Sequence, residues 1–570
     1  MASLIDTLSQ RVSCAFEQAG YDPALGKVIE SNRPELCQFQ CDGAMKGARQ
    51  YRKAPMAIAT AVVELLTQDP VFGSVEVAPP GFINIILSDD FLLQQLADIA
   101  GDARFGIAKT AQPQTIVLDY GGPNVAKPLH VGHLRSAIIG ESIKRLMRFL
   151  GHHVVGDIHL GDWGLQIGLV IAGLMEQDIA LQNITAELLT ELYPQASARA
   201  KTDEAFSKKA HDYTYQLQQR DPECLAFWEK IVEVSCADLK ANYGDLGISF
   251  DLWYGESDAD RFIEPVLGTL REQNLLRRDE GALVVDVLRE EDNPPLPPCI
   301  LVKSDGAHNY ATTDVATIHQ RMREFSPEKI WYVVDKRQAL HFQQVFRVAQ
   351  KAGIAPDGTE LAHLGFGTMN GTDGRPYKTR DGGVMRLRDL IDLATNQAYE
   401  KIQSSGYIEE DDKASVARKI AIASIKFGDL INHRMKDYVF DLSKFLSFEG
   451  KTGSYILYTL ARINSILAKA DDTAAHDVSR ALGEHERDLV IRILLTAQAF
   501  EQAAANQAPN FVCESAYAIA VAFARFYHEA NILGEACAQT RTFRLGLCRV
   551  TREILLLHLD ILGIEAVEAM

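Results

Sequence analysis

No stretch of the chain approaches the roughly 18–20 unbroken apolar residues that a membrane-spanning helix needs, so no membrane partner is expected. The opening segment MASLIDTLSQRVSCAFEQAG lacks a basic start followed by an apolar core, which argues against a secretory signal and for an amphipathic helix. The nine cysteines include no C-x-x-C, and Cys37 and Cys41 have no second Cys or His pair at zinc-like spacing. The thiols therefore read as reduced and mostly buried in a cytoplasmic protein, with no structural metal. Positive charge is scarce: 58 Lys and Arg against 76 Asp and Glu give a net charge of −18. Composition thus offers no support for a nucleic-acid partner, although an average leaves room for local basic patches. There is no internal repeat and no low-complexity tract. What remains is an ordinary globular composition, 47% hydrophobic and 24% charged, in a length of 570 residues that suits two to four domains.

Hydrophobic periodicity divides the chain in three. Residues 1–110 read as an α+β unit, with helical patterns at 2–20 and 54–68, strand alternation over 73–87, and a linker at 102–114. Residues 111–444 alternate strand and helix. Candidate strands lie at 116–120, 153–158, 283–288, 299–303 and 330–334, and the alternation implies a parallel α/β sheet with its own core. A charged, strandless stretch at 175–245 reads as a helical insertion. From 445 to 570 strand signals vanish, and the pattern is that of an all-α domain of four or five helices.

One turn concentrates chemistry. GGPNVAKPLHVGHLRS, residues 121–136, follows the β-branched run TIVLDY and leads into a helical pattern. A parallel sheet binds ligands at the C-terminal ends of its strands, and the first N–H groups of the next helix favour phosphate there. His130 and His133 are three apart and share one helical face. Gly132 between them lets a flat group approach the backbone. Imidazoles can donate to phosphate oxygens whether or not they are charged. The plain alternative is a pair of satisfied surface histidines, and for Lys127 a solvated loop lysine.

HVGH resembles the HIGH signature of class I aminoacyl-tRNA synthetases. The wider stretch through HHV, together with GDWGLQIGLVIAGL, VKSDGAHNYATTDVA, VVDKRQALHF and SFEGKTGSYILYTLARI, resembles the arginyl-tRNA synthetase family in particular, and the likeness continues to the closing LDILGIEAVEAM. The resemblance implies a Rossmann-like catalytic domain, an N-terminal additional domain that touches the tRNA elbow, and a C-terminal anticodon-binding domain. The second class signature, KMSKS, corresponds to GRPYKTRDGG, which supplies Lys378 without a second lysine; Arg380 and Asp381 follow it. In the family the lysine before HIGH is thought to make up that charge, and here that position is Lys127. Lys127, His130, Gly132, His133 and Lys378 are thus expected at ATP. ATP carries Mg²⁺ as part of the substrate, without a dedicated protein cage.

An arginine substrate demands a carboxylate for its guanidinium and a ring to stack on. Tyr310 and Asp314 are four apart and can face one pocket. Asp119, at the end of the first sheet strand, points to the same cleft by topology. The resemblance assigns Tyr310 and Asp314 to the arginine side chain and Asn124 and Gln338 to its α-amino end, and matches Asp119 to an acidic position. A core aromatic and a helix N-terminal carboxylate are the plain alternatives for Tyr310 and Asp314. For RNA, Tyr455, Tyr458 and Arg462 share one helix face, where aromatics can stack bases or simply pack a core. The resemblance adds Met570 near the anticodon, and Phe82 and Asn84 of PPGFIN near the elbow.

The function expected is ATP-dependent ligation of L-arginine to tRNA(Arg) through arginyl-adenylate, by a monomer. Two readings stand beside it: a nucleotidyltransferase of the same fold that adenylates a small carboxylate without RNA, and a catalytically silent RNA-binding protein. The helical C-terminal domain speaks against the first, and the full set of histidines, lysine and pocket acids against the second.

Overall fold

The computed structural model describes residues 3–371, 373–374, 385–403, 406, 408–470 and 480–570. The fold is α/β: a central parallel sheet, an N-terminal α+β part and C-terminal helices.

At the N-terminus a four-stranded antiparallel sheet carries Phe72–Ala78 and Phe82–Leu87 as a hairpin. Period-two alternation buries Ile83, Ile85 and Leu87 and leaves Phe82 and Asn84 on the other, half-exposed face. The segment 102–114, expected as a linker, is instead docked: Ile107 is buried, and Arg104 lies 4.1 Å from the Phe149 ring and donates to Ile107 O at 3.0 Å.

The parallel sheet has four strands in the order Glu360–His363, Lys329–Val333, Thr115–Tyr120, His153–Asp157. Three of these match expected strands. The expected strands 283–288 and 299–303 do not join it. Ala282–Val285 and Cys299–Val302 form a separate antiparallel sheet with Leu276–Asp279. The reason is local. Leu276–Asp279 and Ala282–Val285 are joined by Glu280 and Gly281 with φ of 47° and 86°, a two-residue turn with both φ positive, which enforces antiparallel pairing. Parallel neighbours need a crossover of a dozen residues or more. The fourth parallel strand, Glu360–His363, escaped notice because it is a short, half-exposed edge strand without an apolar run.

Charged helices fill the insertion: Ala186–Arg199, Glu204–Gln218 and Pro222–Asp245. Five C-terminal helices follow among the described residues, Gly453–Ala468, Glu484–Leu494, Thr496–Asn506, Asn510–Glu529 and Ala538–Ile561. Glu484–Leu494 and Thr496–Asn506 are separated by a single turn residue, Leu495.

The expectation of a self-contained core for the α/β part is corrected. One continuous apolar cluster runs from Leu4 to Val567 through the helix Val131–Phe149; the other face of the sheet has a core of its own, and a small third cluster joins Leu169, Ala172, Ala196, Phe206 and Ala210. Lys426 marks the seam. It is fully buried, donates to Leu246 O at 2.6 Å and also to Gly563 O, and its ammonium is pushed down to about 7 by that burial. Arg487 bonds Leu87 O and Asp89, and Arg492 pairs with Glu30, so the C-terminal helices also hold the N-terminal sheet.

Candidate active site

The strand Thr115–Tyr120 delivers the chain to the C-terminal edge of the sheet, and the helix Val131–Phe149 starts there. The intervening loop is pinned. Val125 N donates to Gly161 O at 3.0 Å and Gly161 N to Pro123 O at 3.1 Å. A Cβ on Gly161 would lie 2.1 Å from Asn124 Oδ1, so the glycine leaves room for the Asn124 amide as it sits here. Ala126 holds a left-handed φ of 61°, a conformation that costs a non-glycine residue about 1–3 kcal/mol. The Ser235 hydroxyl accepts its N–H at 3.0 Å, so the insertion holds the bend. That bend turns Lys127 so that its Nζ lies 4.7 Å from the centre of the Tyr193 ring. Among the described residues Lys127 has no carboxylate partner.

His130 caps the helix. Its Nδ1 accepts the Gly132 N–H at 3.0 Å, and His133 Nδ1 accepts the His130 N–H at 3.3 Å. The two rings stack with centroids 3.8 Å apart. Gly132 is needed for this arrangement, since a Cβ there would lie 2.8 Å from the His130 ring. A ring nitrogen that accepts carries no proton, so each neutral ring is protonated at Nε2. Neutrality holds at physiological pH. Burial pushes His133 down to about 3, helped by the charges of His130 and Lys127, and burial and then Lys127 lower His130. Each histidine thus offers one Nε2–H donor.

The backbone amides expected to meet phosphate are largely taken. Val131 N–H goes to Met385 O at 3.1 Å, Gly132 N–H to His130, and His133 N–H to His130 O at 2.9 Å. The two imidazoles and Lys127 remain as side-chain donors at this turn. Lys378, Arg380 and Asp381 lie outside the described residues, but Met385, just beyond that stretch, is tied to Val131, and Leu387 N donates to Leu129 O at 2.9 Å.

Beside the turn lies a concentration of acid. Tyr310 opens the helix Tyr310–Phe325 and is 70% exposed. Glu256 and Tyr193 are close enough to add to the burial that raises its phenol pKa. Asp314, one turn on, is bonded at 2.5 Å to His341 Nε2. Glu256 is held up to about 8, first by burial and then by the charges of Asp162 and Asp314. It has no cation among the described residues. Asp162 is itself buried, raised, and fixed by Ser257 N at 3.0 Å and the Ser257 hydroxyl at 2.5 Å. Asp119 is not the open acid expected: its carboxylate is nearly buried and receives Arg321 Nη2 at 2.7 Å, a nitrogen that also reaches Asp157 Oδ2 at 2.6 Å. Gln338 is exposed on the turn before the helix Ala339–Lys351, at the end of the neighbouring strand.

Among the described residues one group could offer a metal three ligand atoms within 4.8 Å, namely Asp119, Asp157 and His159. The Arg321 guanidinium already lies between its two carboxylates.

A cavity of about 1320 Å³ opens among the C-terminal helices. Tyr458, Arg462 and Met570 line it together with Tyr527, Arg549 and Arg552. Arg462 lies between two rings, 4.7 Å from the centre of Tyr458 and 4.8 Å from that of Tyr527. The cavity's cations Arg462, Lys469, Arg549 and Arg552 are set among the acids Glu529, Glu553 and Glu568, so its lining is mixed in charge. Tyr455 stands apart from it, packed on Tyr517 with centroids 5.8 Å apart. In the N-terminal sheet Asn84 Oδ1 accepts from Gln40 at 2.8 Å.

Sequence reasoning missed Glu256, Asp162, His341 and Arg321. Arg321 was reachable: it is seven residues from Asp314 and eleven from Tyr310, on the same helical face. Glu256 was not, because the segment that carries it reaches the sheet only through tertiary pairing of Leu160 N with Tyr254 O at 2.7 Å and Glu256 N with Leu160 O at 3.0 Å.

Comparison with known proteins gives three family models along the chain. That for tRNA synthetases class I (R), catalytic domain, matches residues 95–442; the DALR anticodon binding domain matches 456–570; the arginyl tRNA synthetase N terminal domain matches 6–87. An arginine–tRNA ligase of Alkaliphilus oremlandii (strain OhILAs) is 45% identical, with 100% of both chains covered. The crystal structure of arginyl-tRNA synthetase from Plasmodium falciparum superposes with a TM-score of 0.83 at 26% identity, and the arginyl-tRNA synthetase of Thermus thermophilus with 0.79 at 23%, each over 100% of both chains.

Proposed function

The chain belongs to the arginine–tRNA ligase family of class I aminoacyl-tRNA synthetases, and from that premise we propose how its residues divide the work. The enzyme uses ATP to attach L-arginine to tRNA(Arg). The match extends through the anticodon-binding model, which leaves the RNA-free nucleotidyltransferase reading without support.

The observation that carries the assignment of roles is the meeting of two neutral, Nδ1-accepting histidines with an under-compensated acidic pocket at one sheet edge. Reaction is in-line attack of the arginine carboxylate on the α-phosphate of ATP. It calls for positioning and charge stabilisation rather than a general base. His130 and His133 donate through Nε2–H to phosphate oxygens, and Lys127 adds a cation from the insertion side. Lys378 of the second class signature adds a further cation at the phosphates. Mg²⁺ arrives on the ATP phosphates. Tyr310 stacks on the substrate guanidinium, Glu256 and Asp314 pair with it, Asn124 and Gln338 surround the α-amino end, and Asp119 is a further acid of the arginine site. Adenylate formation is tested by amino-acid-dependent ATP–pyrophosphate exchange, and transfer by charging of tRNA.

Glu256 gives this pocket a pH signature. Its pKa of about 8 lies above the ordinary carboxylate range, so the empty pocket holds it protonated at neutral pH. A bound guanidinium favours the ionised form. Arginine affinity therefore rises as pH climbs toward 8, and binding below that pH releases a proton. Calorimetric titration in buffers of different ionisation enthalpy should show this release, and Glu256→Gln should abolish it.

The remaining roles follow the domain division 1–110, 111–444 and 445–570. The C-terminal cavity takes the anticodon through Tyr458, Arg462 and Met570, with Tyr455 supporting them from the core. Phe82 and Asn84 face the tRNA elbow. The enzyme works as a cytoplasmic monomer; among the described residues no helix is long and apolar enough to cross a membrane. Because the C-terminal helices share a core with the catalytic part, deleting them is a poor test of RNA recognition. Arg462→Ala is a better one. A lost stacking and phosphate contact of about 1–3 kcal/mol should lower kcat/KM for tRNA by roughly 10- to 100-fold, with the KM for arginine unchanged. Steady-state charging at varied tRNA concentration reads it.

A further inference from the structure

Three side chains of the insertion helix Pro222–Asp245 have no part in the chemistry above, yet each bonds backbone at the sheet edge. Trp228, Ser235 and Tyr243 are spaced by seven and eight residues, which places them within one face of the helix. Trp228 Nε1 donates to Asp162 O at 2.8 Å, the Ser235 hydroxyl accepts the Ala126 N–H at 3.0 Å, and the Tyr243 hydroxyl donates to Gly121 O at 2.5 Å. Ser235 and Tyr243 are buried, as are Phe227, Ile231 and Leu239 of the same helix.

The last two of these bonds fall at the two places where the backbone of residues 121–127 turns left-handed. Gly121 has a φ of 73° and Ala126 one of 61°. Glycine adopts such a φ freely, whereas alanine keeps it only where the surroundings enforce it. Both places are bonded by side chains of one helix, and that helix is itself fixed. Tyr243 packs on Phe250 with ring centroids 5.2 Å apart, and Leu246 O, just past the helix end, accepts from the buried Lys426 at 2.6 Å. The residue that follows Ala126 is Lys127. If Ala126 left the left-handed region, the Cα–Cβ bond of Lys127 would swing, and its long side chain would magnify the swing at Nζ.

We propose that Ser235 and Tyr243 are positioning residues for adenylate formation: from the insertion helix they hold Ala126 and Gly121, and so fix where Lys127 presents its ammonium. This rests on the reading of Lys127 as a cation at the triphosphate. Both hydroxyls are spent on backbone atoms, so they act through the loop. The charged insertion thereby becomes part of the machinery of the first half-reaction.

The test is rapid-quench measurement of arginyl-adenylate formation by the full-length enzyme with ATP, L-arginine and tRNA(Arg). Ser235→Ala and Tyr243→Phe each remove one hydroxyl. Misplacing a catalytic group by about 1 Å costs on the order of 10²-fold, so each variant should slow adenylate formation roughly 10- to 100-fold at saturating substrates, while the KM for arginine stays within about threefold. The Lys127→Ala background shows what they act through. There, neither substitution should slow the enzyme further by more than about threefold, because the group they position is gone. A merely structural role would lower the rate by the same factor in both backgrounds. The positioning role is overturned if either single variant keeps the parental rate, or if its loss multiplies in full with that of a slow Lys127→Ala; the reading of Lys127 then survives. A Lys127→Ala enzyme that forms adenylate at the parental rate sinks the reading of Lys127, and the proposal with it.

Discussion

Lys127→Ala lowers the rate of arginyl-adenylate formation by roughly 10²–10³, the usual effect of removing one preorganised donor from a developing charge, while the KM for arginine stays within about threefold. The structure sharpens this expectation. The first amides of the helix Val131–Phe149 are engaged by Met385 and His130, so the turn cannot rely on free backbone donors. Its histidines are neutral. Lys127 is then the one full positive charge at the turn among the described residues, and Tyr193 holds it without cancelling its charge. Rapid-quench measurement of adenylate formation separates the chemical step from tRNA transfer. The second class signature here has Lys378 without its usual second lysine, so Asp381→Lys in the Lys127→Ala background should restore part of the rate. An unchanged rate in Lys127→Ala, or a defect confined to arginine affinity, would move Lys127 away from the triphosphate.

Glu256→Gln should be nearly as damaging in a different parameter. The pocket acids differ in what already occupies them: Asp314 is bonded to His341 and Asp162 to Ser257, whereas Glu256 has no cation among the described residues. The substrate guanidinium is its natural partner. Removing that charge costs roughly 1.5–3 kcal/mol, a 10- to 100-fold rise in the arginine KM, with ATP affinity nearly unchanged. Stability should move the opposite way. A carboxylate whose folded pKa is raised to about 8 from an ordinary value near 4.5 contributes a penalty that grows as pH rises between those values. The neutral isostere lacks it, so the variant should be at least as stable as the parent at pH 8 and above. Thermal denaturation at pH 6 and pH 9 checks this. Lost arginine affinity without lost stability assigns Glu256 to the pocket; loss of both would make it a structural residue.

How much of this was legible beforehand follows from what local sequence encodes. The histidine turn is a local object, a β-branched strand, a glycine- and proline-rich turn and a periodic helix in succession, and its layout could be read directly. So could Tyr310 and Asp314, one helical turn apart. Strand direction was not local information in the same way: Ala282–Val285 and Cys299–Val302 are apolar enough for a parallel sheet, and it is the Glu280–Gly281 turn that sends them elsewhere. Glu256 is brought to the cleft by pairing of Tyr254 and Glu256 with Leu160, nearly a hundred residues earlier, and no spacing rule reaches that far. Asp119 illustrates a third case. Its position at the strand end was correctly inferred from topology, but its charge state depends on Arg321 and Asp157, and counting charges requires the three-dimensional neighbours.

The most direct test of the central claim, that this sheet edge activates arginine with ATP, is ATP–pyrophosphate exchange by the full-length protein over all twenty amino acids, with tRNA(Arg) present. The account predicts exchange with L-arginine alone, and its loss in Lys127→Ala even at saturating arginine. Exchange driven equally well by another amino acid, or full exchange by Lys127→Ala, would contradict it.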